Sequence, residues 1–182
     1  VKPIAIWYHT LFQLGDELLP HALAIVQEQM AQLKASGLED AASEIHCGVN
    51  GDAETDLFAK GYLPQKANII YHGLQCKNEC RTIAELEKWL PTHPDWYVLY
   101  FHPKGAVHPC DLNERWRRCM MRTCVWRWRE CVVALEHGYE AAGVHWAPNM
   151  GVHMDQYYFA GGWFWATSNF LRTLPSIYER AR

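Results

Sequence analysis

Trp96-Tyr97-Val98-Leu99-Tyr100-Phe101-His102-Pro103-Lys104-Gly105 is the stretch that decides the fold. Its first six residues are apolar or aromatic, without the alternation of polar and apolar residues found in a strand that has one face in water. A strand covered on both faces is typical of a mostly parallel sheet with helices packed on each side. We therefore predict an interior strand over 96–101 that ends at His102.

Shorter apolar runs elsewhere in the chain predict further strands over 4–8, 45–49, 68–72, 141–145 and 157–166. Between them, apolar residues recur every three or four positions, which predicts helices over about 16–36, 80–90 and 113–137. Strands that alternate with helices define an α/β fold with a largely parallel sheet. Neither a linker nor an internal repeat is evident, so we predict one domain over 1–182.

Composition narrows the function classes. The net charge of −3 argues against a general polyanion binder, so we expect no nucleic-acid partner. No run approaches the ~20 apolar residues that span a bilayer, and residues 1–4 lack the profile of a signal peptide, so we expect no transmembrane segment. The cysteines include three in one helical segment (Cys119, Cys124 and Cys131), which favours reduced thiols and a cytoplasmic location.

The ends of the predicted strands are the candidate sites, because ligands of open parallel sheets collect beyond the carboxyl ends of the strands. These ends carry mostly histidines and small polar residues: His9, Thr10, Asn50, His72, His102 to Gly105, His145 and Trp146.

His102-Pro103-Lys104-Gly105 is the sharpest candidate, because a lysine cation beside a glycine that allows close backbone approach suits a diphosphate. Arg117 follows near the start of the long helix, where its planar fork suits phosphate. Both features have plainer interpretations. The loop would be a turn with a solvated lysine, and Arg117 would form a salt bridge with a nearby acid.

Phe159 to Ala166 contains a glycine pair beside three aromatic residues, and flat aromatic surfaces suit the C–H faces of sugars. Gly161 and Gly162 would let the backbone approach a ligand. Trp163 and Trp165 alternate along a strand and so share one face. Core packing is the alternative for these side chains.

A metal site is not indicated by spacing. Cys76 and Cys80 lack a matching second pair, and the cysteines of the long helix are spaced for packing. His102, His108 and His153 are free to converge on an ion, but nothing in their spacing requires it. We therefore predict that no cysteine is a metal ligand.

The segments SGL…GVNG, YVLYFHPKG, WRRCM, GYEAAGVHW and YFAGGWFWATSNFLRTLP occur in this order between Ile4 and Pro175. Together they resemble a family of glycosyltransferase-like domains of the GT-A type that occurs in proteins of surface-polysaccharide biosynthesis. In that family a strand runs into His-Thr-Lys-Gly, a helix begins Trp-Arg-x-x-Met, and a late segment reads His-Phe-Ser-Gly-Asn-Phe-Trp-Trp-Ala. The resemblance implies a Rossmann-like GT-A fold.

The three motifs match position by position at His102, Lys104, Gly105, Trp116, Arg117, Met120, Gly161, Trp165 and Ala166. Pro103 replaces the family's threonine, Gly162 its asparagine and Trp163 its phenylalanine. The lost asparagine removes a hydrogen-bonding side chain from the implied sugar site. The Asp-x-Asp motif by which many GT-A enzymes hold a metal and the donor diphosphate is also missing, so we expect no required cofactor, although a divalent cation remains compatible with the sequence.

The resemblance implies a glycosyltransferase that moves a sugar from a nucleoside-diphosphate-sugar donor to a glycan or other acceptor. Thr10, His102, Lys104, Gly105 and Arg117 would then bind the donor. The sugar would face the backbone and side chains of Gly161, Gly162, Trp163 and Trp165. An inverting enzyme needs a base, for which Asp155 is the first candidate and His153 the second. The alternative function is a non-catalytic, degenerate transferase domain that binds a glycan or a protein partner.

Overall fold

Strands and helices alternate along most of the chain. A computed structural model of the protein describes residues 2–12, 17–51, 55–73, 79–148 and 157–176. Its strands are β1 (Ile4–Leu11), β2 (Glu44–Asn50), β3 (Asn68–Tyr71), β4 (Tyr97–Phe101), β5 (Ala141–Ala142), β6 (Trp146–Pro148), β7 (Tyr157–Phe159) and β8 (Phe164–Thr167). Its helices are α1 (Leu19–Ala35), α2 (Leu38–Ala41), α3 (Thr55–Tyr62), α4 (Cys80–Trp89), α5 (Asp111–Met120), α6 (Trp128–Glu136) and α7 (Ser168–Leu171).

Six of these strands form one mixed sheet in the order β3-β2-β1-β4-β8-β5, and β6 pairs with β7 in a separate ribbon. β3, β2, β1 and β4 are parallel neighbours, whereas β8 runs antiparallel to both β4 and β5. The predicted α/β fold with a mostly parallel central sheet is therefore confirmed.

The predicted interior strand is confirmed as β4, which lies between β1 and β8 with all five side chains buried. Its two faces belong to different parts of the core. Tyr97, Leu99 and Phe101 pack into the cluster that contains the buried faces of α1 and α6. Val98 and Tyr100 pack against Leu86, Leu90 and other residues of α4 and the 3-10 turn Leu90–Thr92. Helices on both sides explain the absence of polar alternation.

The long helix predicted over 113–137 is interrupted. It begins at Asp111, and a π-helical segment (Met121–Trp126) separates α5 from α6. A π-helical turn holds extra residues, so positions beyond it face a different direction than a continuous 3.6-residue repeat would give. The sequence pattern, which assumes one repeat throughout, does not detect this change.

Two predicted strands are shorter than expected. The strand over 157–166 divides into β7 and β8, because Gly161 and Gly162 take positive φ angles of 98° and 76° that end the extended backbone. The strand over 141–145 is limited to Ala141–Ala142, and His145 also has a positive φ, of 60°. Positive φ is incompatible with a regular strand.

The first helix begins at Leu19, with Pro20 in its first turn, where a missing N–H costs no hydrogen bond. Asp16, the first residue of the predicted helix, lies outside the described residues. Gly37 follows the helix with a φ of 73°, as expected for a glycine that ends a helix.

No disulfide joins any two of the six described cysteines (Cys47, Cys80, Cys110, Cys119, Cys124 and Cys131), and Cys76 lies outside the described residues. None of the helices in the described ranges is long and apolar enough to cross a membrane.

Candidate functional site

His102 lies directly beyond β4, at the carboxyl edge of the sheet, and contacts the glycine pair. Its Nε2 atom is 2.8 Å from the carbonyl oxygen of Gly161. A carbonyl oxygen only accepts hydrogen bonds, so Nε2 carries the ring proton. Burial lowers the pKa of His102 against the opposing effect of the Glu79 carboxylate. The imidazole is therefore neutral near pH 7 and serves as a hydrogen-bond donor to the turn.

The glycine pair fits into space that a side chain would fill. A methyl group on Gly161 would lie 2.7 Å from the Met120 sulfur and 3.3 Å from Cε2 of Trp116. One on Gly162 would lie 3.3 Å from Nε2 of His102. The turn thus requires glycine both for its backbone angles and for its close contacts.

Lys104 and Gly161 meet at the same indole ring. The Lys104 ammonium lies 4.6 Å from the centre of the Trp116 ring, and a methyl group on Gly161 would lie 3.3 Å from Cε2 of the same ring. The ammonium makes no ion pair within the described ranges, so its charge is available to an anion. The loop after β4 and the turn before β8, far apart in sequence, therefore form one surface.

Arg117 is engaged with the protein. It is 5 % exposed, donates through Nη1 to the carbonyl oxygen of Lys104 at 3.2 Å, and lies 3.4 Å from the Glu28 carboxylate. Arg117 thus forms a salt bridge with an acid, as the plainer interpretation of the sequence predicted, and Glu28 is the partner. Its Nε is buried and has no hydrogen-bond partner among the residues that the structure describes. The guanidinium also borders a cleft of about 280 Å³ whose lining includes His21, Gly105 and Asn113.

Gly105 allows the loop to pass close to Arg117. Its φ is 91°, and a methyl group there would lie 3.4 Å from Nη1 of Arg117 and 3.3 Å from Cβ of Asn113. The main chain of the loop is also held by His21, whose Nε2 lies 3.3 Å from the Gly105 carbonyl oxygen. Gly105 therefore lies at the wall of the cleft.

Two buried polar side chains, Thr10 and Asn50, lie at the carboxyl ends of β1 and β2. The Thr10 hydroxyl and both amide atoms of Asn50 make no regular hydrogen bond within the described ranges, although the Tyr8 side chain lies close to Thr10. Their strands are parallel neighbours, with Thr10 opposite Val49 and Leu11 opposite Asn50. Buried polar atoms are rarely left unpaired, and those that are often mark a place completed by water or a ligand. Thr10 therefore remains a candidate for contact with a donor.

The two tryptophans assigned to sugar stacking lie in the core. Trp163 and Trp165 have no exposed surface, and both pack on the same face of the sheet. Trp165 donates through Nε1 to the carbonyl oxygen of Cys124 at 2.8 Å, and Trp163 packs edge-on against Phe101. The expected alternation is present, but core packing accounts for both indoles. Neither ring presents a face to a sugar in this structure.

The base candidates Asp155 and His153 lie outside the described residues. Among the residues that are described, no three histidine, cysteine, aspartate or glutamate side chains are placed to hold a metal ion. His108, one of the suggested ligands, is exposed.

Sequence reasoning missed the acid beside His102. Glu79 directly precedes α4, and its Oε2 accepts a hydrogen bond from the Tyr100 hydroxyl at 2.8 Å and lies 3.8 Å from Nε2 of His102. Its position at a helix start is the one signal in the sequence. That signal does not indicate that α4 packs against β4.

Sequence reasoning also missed a buried cluster formed by His9, His72 and Thr82, on the side of the sheet that α4 covers. The Thr82 hydroxyl lies 2.8 Å from Nδ1 of His9 and 2.9 Å from Nε2 of His72. Burial lowers the pKa of His9 to about 3, with smaller contributions from His102 and His72. Gly48 leaves the necessary room, because a methyl group there would lie 1.9 Å from the Thr82 oxygen.

No curated protein matches the chain significantly. One solved structure that matches the chain is described as a nucleotide-diphospho-sugar transferase from Desulfovibrio desulfuricans G20. The identity is 17 %, the TM-score is 0.48, and the match covers 93 % of this chain and 65 % of that chain. The chain thus spans less than two thirds of that structure.

Two further matches are 4-diphosphocytidyl-2C-methyl-D-erythritol synthases. One has 15 % identity and a TM-score of 0.40, with 94 % of this chain and 77 % of that chain covered. The other, from Anaerococcus prevotii DSM 20548, has 14 % identity and a TM-score of 0.45, with 99 % and 75 % covered. The fold class itself rests on the strand order and directions described above.

One family model matches residues 7–174, which is nearly the whole chain. The protein therefore belongs to the family described as Domain of unknown function (DUF8361).

Proposed function

We propose that this domain binds a nucleoside-diphosphate sugar and transfers the sugar to a glycan acceptor. The observation that carries the proposal is the meeting of Lys104 and Gly161 on the Trp116 ring, at the carboxyl edge of a mostly parallel sheet. A cation without an ion-pair partner in the described part of the chain, beside a half-buried turn at the edge of the sheet, suits a diphosphate joined to a sugar.

In this proposal Lys104 offsets the negative charge that grows on the diphosphate as the glycosidic bond breaks. Arg117 contributes less free charge, because Glu28 already lies beside it. Its main role is to hold the Lys104 carbonyl and so the shape of the loop. Thr10, at the end of β1, would contact the nucleotide. His102 would position the Gly161–Gly162 turn against the sugar.

The sequence resemblance supports the same assignment and adds a setting, the synthesis of surface polysaccharides. The cysteine pattern favours a cytoplasmic location for the domain. A specific observation also favours the alternative, a non-catalytic domain that binds a glycan or a protein. Arg117 is paired, and the two indoles expected to face sugar are buried. The two functions differ in one measurable respect, since only the enzyme releases a nucleoside diphosphate.

Calorimetry with UDP-glucose, GDP-mannose and dTDP-glucose tests the proposal, followed by measurement of nucleoside diphosphate release from each donor that binds. We expect one donor to bind with a dissociation constant in the micromolar range and to be turned over, slowly with water alone and faster with an acceptor glycan. Binding without release in the presence of glycan acceptors would favour the non-catalytic domain. No binding of any nucleotide sugar would refute the proposal.

A further inference from the structure

Glu79 is the acid that borders the glycine pair. Its carboxylate is 39 % exposed, so it is open to a ligand at the carboxyl edge of the sheet. Oε2 is held by the Tyr100 hydroxyl at 2.8 Å, and Oε1 lies 4.0 Å from where a methyl group on Gly162 would be. None of the described residues donates a hydrogen bond to Oε1. One carboxylate oxygen is thus fixed, while the other accepts no hydrogen bond from the described part of the chain.

The Lys104 ammonium and the Glu79 carboxylate lie on two different sides of the glycine turn. The Cβ direction of Gly161 points to Trp116, on which Lys104 lies. The Cβ direction of Gly162 points to His102 and Glu79. A sugar seated over the turn with its diphosphate at Lys104 would therefore have Glu79 toward its opposite side. Attack from that side, away from the leaving group, is the geometry of inversion.

We propose that Glu79 is the catalytic base of the transfer, which rests on the proposed function above. The acceptor hydroxyl gives its proton to Oε1 of Glu79, and its oxygen forms the new bond to the anomeric carbon. The bond from that carbon to the diphosphate oxygen breaks, and the nucleoside diphosphate leaves with the electron pair. The proton on Glu79 is lost to solvent after the product departs.

Neighbouring groups are less suited to this role. His102 already donates its Nε2 proton to Gly161. Glu28 is beside Arg117, on the other side of the loop. Tyr100 acts through Glu79. Burial and the adjacent carboxylate raise its pKa well above the usual value, so the phenol stays protonated and keeps one carboxylate oxygen in place. We therefore assign Tyr100 as a positioning residue.

The experiment uses the first donor of the calorimetric panel that binds and measures its hydrolysis, with water as the acceptor. The variants are Glu79→Gln, Glu79→Ala, Tyr100→Phe and Asp155→Asn. Glu85→Gln is the matched control, because Glu85 lies in α4 and pairs with Lys88 away from the turn. Circular dichroism and thermal unfolding establish that each variant is folded. Proton NMR identifies the anomer released.

We expect Glu79→Gln to lower kcat by about 10²–10⁴-fold, the usual contribution of general base catalysis, with donor affinity and KM changed less than about threefold. Sodium formate should restore part of kcat in Glu79→Ala, because a small carboxylate can occupy the space and accept the proton. Tyr100→Phe should lower kcat less than Glu79→Gln, and Glu85→Gln should match the wild type. The product anomer should be inverted.

The inference is overturned if Glu79→Gln keeps near wild-type kcat, or if Asp155→Asn alone abolishes turnover. Retention of the anomeric configuration overturns it as well. A purely structural role for Glu79 would lower stability and donor affinity together and would not respond to formate. Donor binding by the wild type without any hydrolysis also counts against a base at this position. Failure of every donor to bind is a different result, which refutes the proposed function itself.

Discussion

The imidazole of His102 and the carbonyl oxygen of Gly161, 59 residues apart, are joined by a 2.8 Å hydrogen bond. This bond fastens the end of an interior parallel strand to the turn that precedes an antiparallel one. Because the ring donates its proton to the backbone, His102 is tied to the shape of the turn. Changes in the turn should therefore affect both stability and donor binding.

Three glycine-to-alanine variants, one in the turn and two elsewhere, separate the effect of backbone strain on stability from the effect of steric contact. Gly161→Ala should destabilise the protein by about 3 kcal/mol, because the methyl group meets Met120 and Trp116 at a positive φ. Gly138→Ala has a φ of 93° with nothing within 4 Å and should cost only about 1 kcal/mol. Gly61→Ala, in α3 with open space around it, should stabilise by up to about 1 kcal/mol. Urea unfolding measures all three, and equal losses for Gly161→Ala and Gly138→Ala would refute the steric part.

Gly48→Ala should be more damaging than any of these. Its φ is not positive, so the effect comes from contact alone. The methyl group would lie 1.9 Å from the Thr82 oxygen and 2.7 Å from Nε2 of His72. Relief requires breaking the buried hydrogen bonds around Thr82, and we expect a loss of roughly 3–5 kcal/mol. An ordinary unfolding midpoint for this variant would show that the Thr82 cluster is not packed as described.

Lys104→Ala should weaken donor binding by about 2 kcal/mol, or about 30-fold, because it removes the one cation at the turn that no described carboxylate neutralises. Lys34→Ala, an exposed lysine of α1, is the control and should bind donor normally. We also expect donor affinity to survive EDTA, since a fixed cation can offset the diphosphate charge. Calorimetry on the three proteins, with and without EDTA, gives the answer. Donor binding that is lost with EDTA and unchanged in Lys104→Ala would contradict this prediction.

Stability should fall as the pH is lowered from 7 to 5. Burial holds the pKa of His9 at about 3 in the folded protein, whereas the unfolded chain takes up a proton near pH 6.5. Between these values the unfolded state binds more protons, so acid favours unfolding, by about 2 kcal/mol from this residue by pH 5. The neighbouring His72 and His102 also have lowered pKa values and act in the same direction.

Urea unfolding at pH 7 and pH 5 tests this, with His9→Gln as the variant. The variant should lose less stability between the two pH values than the wild type. His108→Gln, at an exposed position, should keep the full wild-type difference. An unchanged difference in His9→Gln would show that His9 is not the group that resists protonation.

The central strand was predictable because burial on both faces removes polar residues from it, a property that six consecutive residues display directly. The same burial explains why the core position of Trp163 and Trp165 could not be predicted from the sequence. Alternation correctly places the two indoles on one side of the sheet, but both faces of this sheet are covered by helices. A pattern in the sequence cannot distinguish a face turned to a ligand from a face turned to a helix.

Glu79 shows a different limit. It lies 21 residues from Tyr100 and contacts it only because α4 packs across the sheet. Nothing within a few positions of Glu79 reports that packing. Lys104 and Gly161, in contrast, were each recognisable from local residue types, although their meeting on Trp116 depends on the direction of β8. Asp155 and His153 stay predictions.

The reversed direction of β8 has a consequence for folding order. Phe164 pairs with Tyr100 at the carboxyl edge, so the glycine turn reaches His102 only when β8 docks against a strand that precedes it by more than 60 residues. Contacts so distant in sequence form slowly, because a long loop must close first. Helix formation and the pairing of β1 with its neighbours can precede that step. In refolding, recovery of donor binding should therefore coincide with burial of Trp165 and lag behind the helical signal.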